Sequence, residues 1–309
     1  MTVYHKFGTF ETPFSVRRIY RETMELDCKL CILGSLKNLF RIYQLDEDDK
    51  NIILNRYLNY LSSIGPEVIS PMAARELHRL LDQFNVNHDP FGDLKKRSND
   101  LVLSHYDQYM QVIRSSPDPF DTALRLSIAG NILDFVACPE AFEEAEKYLA
   151  DTIDKVFNTS FARDDSDLLE QELLRSESLL ILGDNAGEIV FDKLFLQYIQ
   201  HPNVHYAVRG KAVINDATLQ EAMYVGMDKM AKIISNGYDA PSTILEKASS
   251  VFLQVYEQSD LIISKGQGNL EGLLNNGHKN LFFLLTVKCD MIARRLGVKK
   301  GDFVVYKNN

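Results

Sequence analysis

Leu179-Leu180-Ile181-Leu182-Gly183-Asp184-Asn185-Ala186-Gly187-Glu188 is the stretch on which the reading of the fold turns. Four apolar residues run without interruption into a turn bounded by two glycines. The spacing Val190, Phe191, Leu194, Phe195 and Tyr198 then marks an apolar helix face. A short apolar run, a turn and a helical period read as strand, loop and helix. Further short apolar runs follow at Val204–Val208, Met230–Ile234, Leu261–Ile263, Leu281–Val287 and Phe303–Tyr306, with helical segments between them. Strands of this kind are buried on both faces, which predicts a mostly parallel sheet flanked by helices.

Upstream of about residue 176 the period is helical. Ile53, Leu54, Tyr57, Leu58 and Leu61 form one buried stripe. Ser70 and Pro71 read as an N-cap and a first-turn proline opening a helix over Met72–Phe84. Helices are also expected over Asp93–Ile113, Pro119–Val136 and Pro139–Phe157, and the acidic stretch Glu140–Glu172 reads as a solvated helix face and linker. The fold class expected is α/β. A helical N-terminal domain (1–176, its first 25 residues an extension without assigned role) packs on a C-terminal Rossmann-like α/β/α domain (177–309).

Composition narrows the function. The chain has 309 residues, with 45% hydrophobic and 25% charged, as in a soluble globular protein. Its 34 Lys+Arg against 43 Asp+Glu give a net charge of −9, which argues against nucleic acid held by bulk electrostatics. The longest apolar run, Leu281–Leu285, is far short of the ~18 residues of a membrane span, and the first residues lack the pattern of a secretory signal. A cytoplasmic protein without membrane or nucleic-acid partners is expected. Four cysteines in this length are no disulfide framework. Cys28 and Cys31 share a helix face and read either as buried reduced thiols or as a small metal or redox clip made with Cys289.

The residues after the strands carry the chemistry. In an open parallel sheet these loops gather along one edge, where ligands bind. There the chain places Asp184 and Asn185, then Arg209 and Lys211, then Asp216, then Asn236 and Gly237, then Lys265 and Asn269. Two carboxylates and an amide oxygen are hard donors suited to Mg²⁺ or Mn²⁺, with Co²⁺ or Ni²⁺ as further candidates. Cations and a helix N-terminus at Gly187 suit a phosphoryl group. Each acid has a plainer reading as a helix cap, Asp184 and Asn185 for the helix after the first strand and Asp216 for the next.

Gly-Asp-Asn-Ala-Gly-Glu at 183–188, Ile-Asn-Asp-Ala-Thr at 214–218 and Ser-Lys-Gly-Gln-Gly-Asn at 264–269 together resemble motifs of the damage-control phosphatases, long called domain-of-unknown-function eighty-nine proteins. Asp89-Pro90-Phe91 with Lys95 and Asn99, Ala129-Gly130-Asn131-Ile132-Leu133-Asp134-Phe135, Cys28-Lys29-Leu30-Cys31 and Lys288-Cys289 extend the resemblance over roughly residues 26 to 306. The two spaced cysteines are similar to the stand-alone prokaryotic branch. The resemblance implies a metal-dependent phosphatase of small phosphorylated metabolites. It implies Asp184, Asn185 and Asp216 as metal ligands, Asn131 and Asp134 lining the substrate pocket, Lys265 holding the phosphate, and Glu188 orienting a ligand or water. Arg209, Asn236, Gly237 and Asn269 are expected among the substrate contacts.

Two other classes compete. A metabolite-binding protein without turnover would use the same crevice. An S-adenosylmethionine-dependent Rossmann enzyme would need a glycine-rich turn after the first strand, where this chain has acids. Oligomeric state and the identity of the metabolite are not written in these motifs.

Overall fold

The computed structural model describes residues 24–84, 89–130, 144–274 and 280–308. Its centre is a seven-stranded sheet in the order β1-β7-β6-β5-β2-β3-β4. The strands are β1 (Arg163–Asp164), β2 (Leu179–Leu182), β3 (Val204–Val208), β4 (Lys232–Ser235), β5 (Leu261–Lys265), β6 (Leu281–Thr286) and β7 (Phe303–Lys307). Every pairing is parallel except β6 with β7. The expected α/β class and mostly parallel sheet are therefore present.

Two of the expected strands keep their predicted limits, β2 and β3, and four have limits that shift by one or two residues. β1 falls inside the stretch read as all-helical. Two residues carry no periodic signal, and β1 exists because β7 offers it an edge, pairing Arg163 with Val304.

Helices cover both faces. Leu179, Ile181, Tyr206, Ile263, Phe282 and Phe303 pack with α6 (Pro119–Ala129), α7 (Ala145–Phe157) and α9 (Glu188–Ile199). Leu180, Leu182, Ile262, Phe283 and Leu285 pack on the other face with α11 (Ser250–Gln258), α12 (Gly266–Leu273) and α13 (Asp290–Leu296). This alternation follows from the two-residue period of a strand.

The boundary expected at 176 does not separate two cores. α1 (Leu26–Ile42), α2 (Glu47–Ser63) and α3 (Ser70–Asp82) close a small core of their own around Ile53, Tyr57 and Leu77, joined by Phe91. Val102 of α4 (Gly92–Ser104), α5 (Tyr106–Ser115), α6, α7 and α8 (Ser166–Arg175) instead join the sheet's core. Leu149, Val156, Leu169 and Leu173 are buried there, so the acidic stretch 140–172 supplies core faces as well as solvated ones.

Two helix readings are corrected. The helix expected over Asp93–Ile113 divides at His105 into α4 and α5. At α3, Ile69 holds the cap position and Ser70 is already helical. The Ser70 side chain lies beside Cys28 and Glu271 in the fold.

Candidate functional site

The loops after β2 and β3 are stitched together by backbone. Ala217 N–H donates to the Asp184 carbonyl at 2.7 Å, and Ala186 N–H to Asn215 at 2.8 Å. Arg209 N–H donates to the Ala217 carbonyl at 3.0 Å. This stitching sets Asn185 opposite Asp216 in a short antiparallel bridge, although they are 31 positions apart in sequence.

Side chains complete the arrangement. The Arg209 guanidinium lies between the two acids, with Nη2 3.1 Å from Asp184 Oδ1 and Nε 2.5 Å from Asp216 Oδ2. Asn185 Nδ2 donates to Asp184 Oδ2 at 3.3 Å. Asp184, Asn185 and Asp216 are all buried. Burial raises the Asp216 pKa, while Arg209, Lys288 and Lys95 pull it down.

The capping readings fail. Gly187, at φ +81°, occupies the cap position of α9 and offers no side chain. α10 (Leu219–Tyr224) is capped by Thr218, whose partner Glu221 completes a capping box. Asp184, Asn185 and Asp216 are thus held in place by the fold for something other than helix ends.

These three residues line a cavity of about 230 Å³. Its remaining wall comes from Asn215, from Gln267, Gly268 and Glu271 of α12, from Lys288, and from Ser70, Pro71 and Ala74 of α3. α12 reaches this wall because it lies almost on the backbone of the segment 241–243. A Cβ on Gly268 would stand 2.3 Å from the Pro241 carbonyl oxygen, and one on Gly272 2.2 Å from that of Thr243.

Other expected site residues belong to the support of this wall. Asn269 is buried, with Oδ1 accepting from Arg209 Nη1 at 2.9 Å and from Thr243 N–H at 2.7 Å, while Nδ2 donates to the Gly183 and Lys265 carbonyls. Asn236 is turned into its own loop, accepting from Tyr238 N–H. Gly237 has φ +81° and would drive a Cβ to 2.7 Å from Ser249, so it serves the turn. Arg209 itself is sealed behind the carboxylates. Lys211 is exposed, and Asn131 and Asp134 lie outside the described residues.

Lys265 differs most from expectation. Its Nζ is 2.8 Å from Glu188 Oε1, contacts Asp192 Oδ1, and donates to the Ser127 carbonyl at 3.0 Å. It lies on the α6 and α9 side of the sheet, away from the cavity wall. Asp192 also accepts from Tyr206 Oη at 2.7 Å and Ser127 Oγ at 2.8 Å. Burial opposes the Lys265 charge, but the two carboxylates prevail and raise its pKa. Glu188 Oε2 in turn reaches Asn185 N–H at 3.5 Å, so this cluster braces the loop that carries the donor residues. From the helical side, Asn99 Oδ1 accepts from Gly187 N–H at 2.7 Å.

The cation in the cavity wall is Lys288. Its nearness to Asp216 depends on how β6 is placed, which the pair Lys288-Cys289 does not reveal in sequence. Gln267 ties this corner together, accepting from Lys288 N–H at 2.9 Å and donating to Cys289 Sγ at 3.4 Å. Cys28, Cys31 and Cys289 are near enough to raise the pKa of the first two, with burial the larger cause. Among the described residues, no three His, Cys, Asp or Glu side chains converge as metal ligands, and Cys28, Cys31 and Cys289 are free thiols.

The donor set of Asp184, Asn185 and Asp216 fits a hard divalent cation. It offers oxygen atoms from two carboxylates and one amide, held in register before any ion arrives. Two buried carboxylates share one guanidinium at contact distance, an arrangement that further positive charge would offset.

Comparison with known proteins agrees with this geometry. The family described as damage-control phosphatase ARMT1-like domain matches residues 24–304. A damage-control phosphatase of Pyrococcus horikoshii is 30% identical over 295 residues, covering 92% of this chain and 98% of its own. Another from Archaeoglobus fulgidus is 30% identical over 281 residues, covering 90% and 96%. An uncharacterised protein of Methanocaldococcus jannaschii is 31% identical over 295 residues, covering 91% and 94%. The crystal structure of a DUF89 family protein from Pyrococcus horikoshii superposes with a TM-score of 0.81 at 28% identity, covering 93% of this chain and 99% of that one.

Proposed function

The chain belongs to the damage-control phosphatase ARMT1-like family, and from that premise we propose that it hydrolyses small phosphorylated metabolites, damaged ones included, with the help of a divalent cation. The observation that carries the reading is the convergence of Asp184, Asn185 and Asp216 on one cavity whose wall also includes Lys288. Two hydrogen-bonded carboxylates around an arginine would be an unrewarding way to build a pocket for an apolar ligand.

Asp184, Asn185 and Asp216 would hold the cation, Mn²⁺ or Mg²⁺ by donor type, with Co²⁺ or Ni²⁺ also suited. When bound, such an ion polarises a phosphoryl oxygen and makes water a better nucleophile at neutral pH. Arg209 keeps both carboxylates aimed at one point and limits their mutual repulsion. Lys288 offers positive charge to the equatorial oxygens of the phosphoryl group. Gly268, in the first turn of α12, lets the helix lie against the Pro241 carbonyl and so brings the start of α12 to the cavity wall.

Asp184 is a poorer candidate for the attacking nucleophile than water. Its oxygens are engaged by Arg209 and Asn185, and a phosphorylated Asp184 would surrender those contacts. The cavity volume suits a ligand of sugar-phosphate size better than a dinucleotide.

The test is hydrolysis of p-nitrophenyl phosphate by chelator-stripped protein with each divalent metal added back. Metal-dependent turnover that disappears in Asp184→Ala is expected. Binding of metal without turnover on this or on sugar phosphates would overturn the reading.

A further inference from the structure

The cavity holds an acid that the chemistry above leaves unused. Glu271 lies one turn along α12 from Gln267, on the face that lines the cavity with Asp184, Asp216 and Lys288. It sits on the α3 side beside Ser70, where its carboxyl accepts from Gln267 Nε2 at 3.1 Å. Both neighbours are neutral. Asp184 and Asp216, by contrast, meet a guanidinium. Among the described residues no cation contacts the Glu271 carboxyl, whereas a guanidinium contacts both Asp184 and Asp216, so the three acids of one cavity are differently partnered.

We propose that Glu271 is the proton donor to the leaving group. This rests on the phosphatase reading. With the phosphoryl group between the strand-end donors and Lys288, the alcohol portion of the substrate extends toward α3 and meets Glu271. Water oxygen forms the new bond to phosphorus as the ester P–O bond breaks. The electron pair of that bond goes to the alcohol oxygen, which takes the Glu271 proton and leaves as a neutral alcohol. The proton of the attacking water goes to the phosphate product or to solvent, and Glu271 is reprotonated from solvent.

The surroundings favour the protonated form at rest. The carboxyl is packed round by protein, and this burial raises its pKa above the usual 4.5. Gln267, Arg295 of α13 and Ser70 oppose the rise without cancelling it. The other titratable groups facing it are Cys28, Cys31 and Glu25 near α1, and Cys289 ahead of α13, with Asp184, Asp216 and Lys288 across the cavity. Among the described residues lining this cavity, Glu271 is the one acid besides Asp184 and Asp216.

The experiment compares Glu271→Gln with the wild type on two substrates. p-Nitrophenolate leaves readily without a proton, whereas the alkoxide of glycerol phosphate does not. The ratio of kcat/KM for glycerol phosphate to that for p-nitrophenyl phosphate should fall about 100-fold in the variant, the low end for general acid catalysis. Glu271→Asp should recover part of the ratio. Equal losses on both substrates would overturn the proposal while leaving the phosphatase reading intact. Absence of p-nitrophenyl phosphate turnover in the metal-loaded wild type would overturn both. Infrared difference spectra of chelator-stripped protein at pH 7 give a readout independent of turnover. A protonated-carboxyl band missing from Glu271→Gln is expected, and a spectrum identical in the two proteins would overturn the proposal.

Discussion

Two clusters in this molecule have the same composition, one cation between two carboxylates, and different surroundings. Arg209 joins Asp184 to Asp216 at the wall of the cavity, and Lys265 joins Glu188 to Asp192 between the sheet and α9. All six side chains are buried. In the first cluster the carboxylates border space that a ligand can enter. In the second Asp192 accepts from Tyr206 and Ser127, and neither carboxylate is among the described residues that line the cavity. Burial and charge pairing alone therefore do not mark a site. What marks it is whether the paired acids border a cavity.

That contrast can be broken most directly by removing the cations. Lys265→Met leaves two carboxylates in the core and should lower the unfolding free energy by about 3–5 kcal/mol, read from urea midpoints. Arg209→Met should lose a comparable amount, but a hundredfold excess of Mn²⁺ over its dissociation constant should return roughly 2–3 kcal/mol. Recovery of both variants, or of neither, would abolish the distinction between them.

Asp184→Asn should lower kcat/KM at least about 100-fold, since even outer partners of a metal account for 10–100-fold. It should leave the metal-free melting temperature close to that of the wild type. It should also remove the rise in melting temperature that Mn²⁺ gives the wild type. A metal-induced rise as large as the wild type's would take Asp184 out of the donor set. Gly268→Ala pushes α12 off the Pro241 carbonyl and should cost about 1–3 kcal/mol. Its activity should fall further than its stability explains, as seen by comparing turnover well below the melting transition.

The smallest effect is one of pH. Glu271 has a raised pKa, so the folded chain holds its proton where the unfolded chain releases it. Stability from this group is present below the unfolded value and declines as pH rises through the folded one. Lys265, also raised, loses its contribution only above the usual lysine value of 10.5. Glu271→Gln should therefore gain on the wild type in melting temperature between pH 5 and pH 8. A constant difference across that range would place the Glu271 titration outside it.

Much of this was legible in the chain. β2 and β3 have the limits their apolar runs predict, and Asp184, Asn185 and Asp216 meet as the strand-end rule requires. Lys265 was misplaced although its orientation could be read. It follows Leu261 and Ile263 at two-residue spacing, and those residues face α6 and α9. A residue at a strand's end keeps the face that its parity gives it, and the glycines after Lys265 drew attention from that parity. Lys288 and Glu271 were not legible as site residues. Their places depend on how α12 settles on the segment 241–243 and how β6 aligns beside β5, which no local pattern encodes. The break between α4 and α5 at His105 is of the same kind, since the residues around it suit a helix as well as those on either side.

The sheet order has a consequence for synthesis. β7 lies between β6 and β1, and Arg163 finds its partner only in Val304. On the ribosome, α5 to α8 and the first parallel strands emerge well before that partner exists. Until β7 arrives, β6 remains an open edge and β1 has nothing to pair with. β7 supplies the partner that both β6 and β1 need. A nascent chain stalled before residue 303 would expose the Phe282 and Leu284 edge to other chains, so aggregation risk persists until β7 has been made.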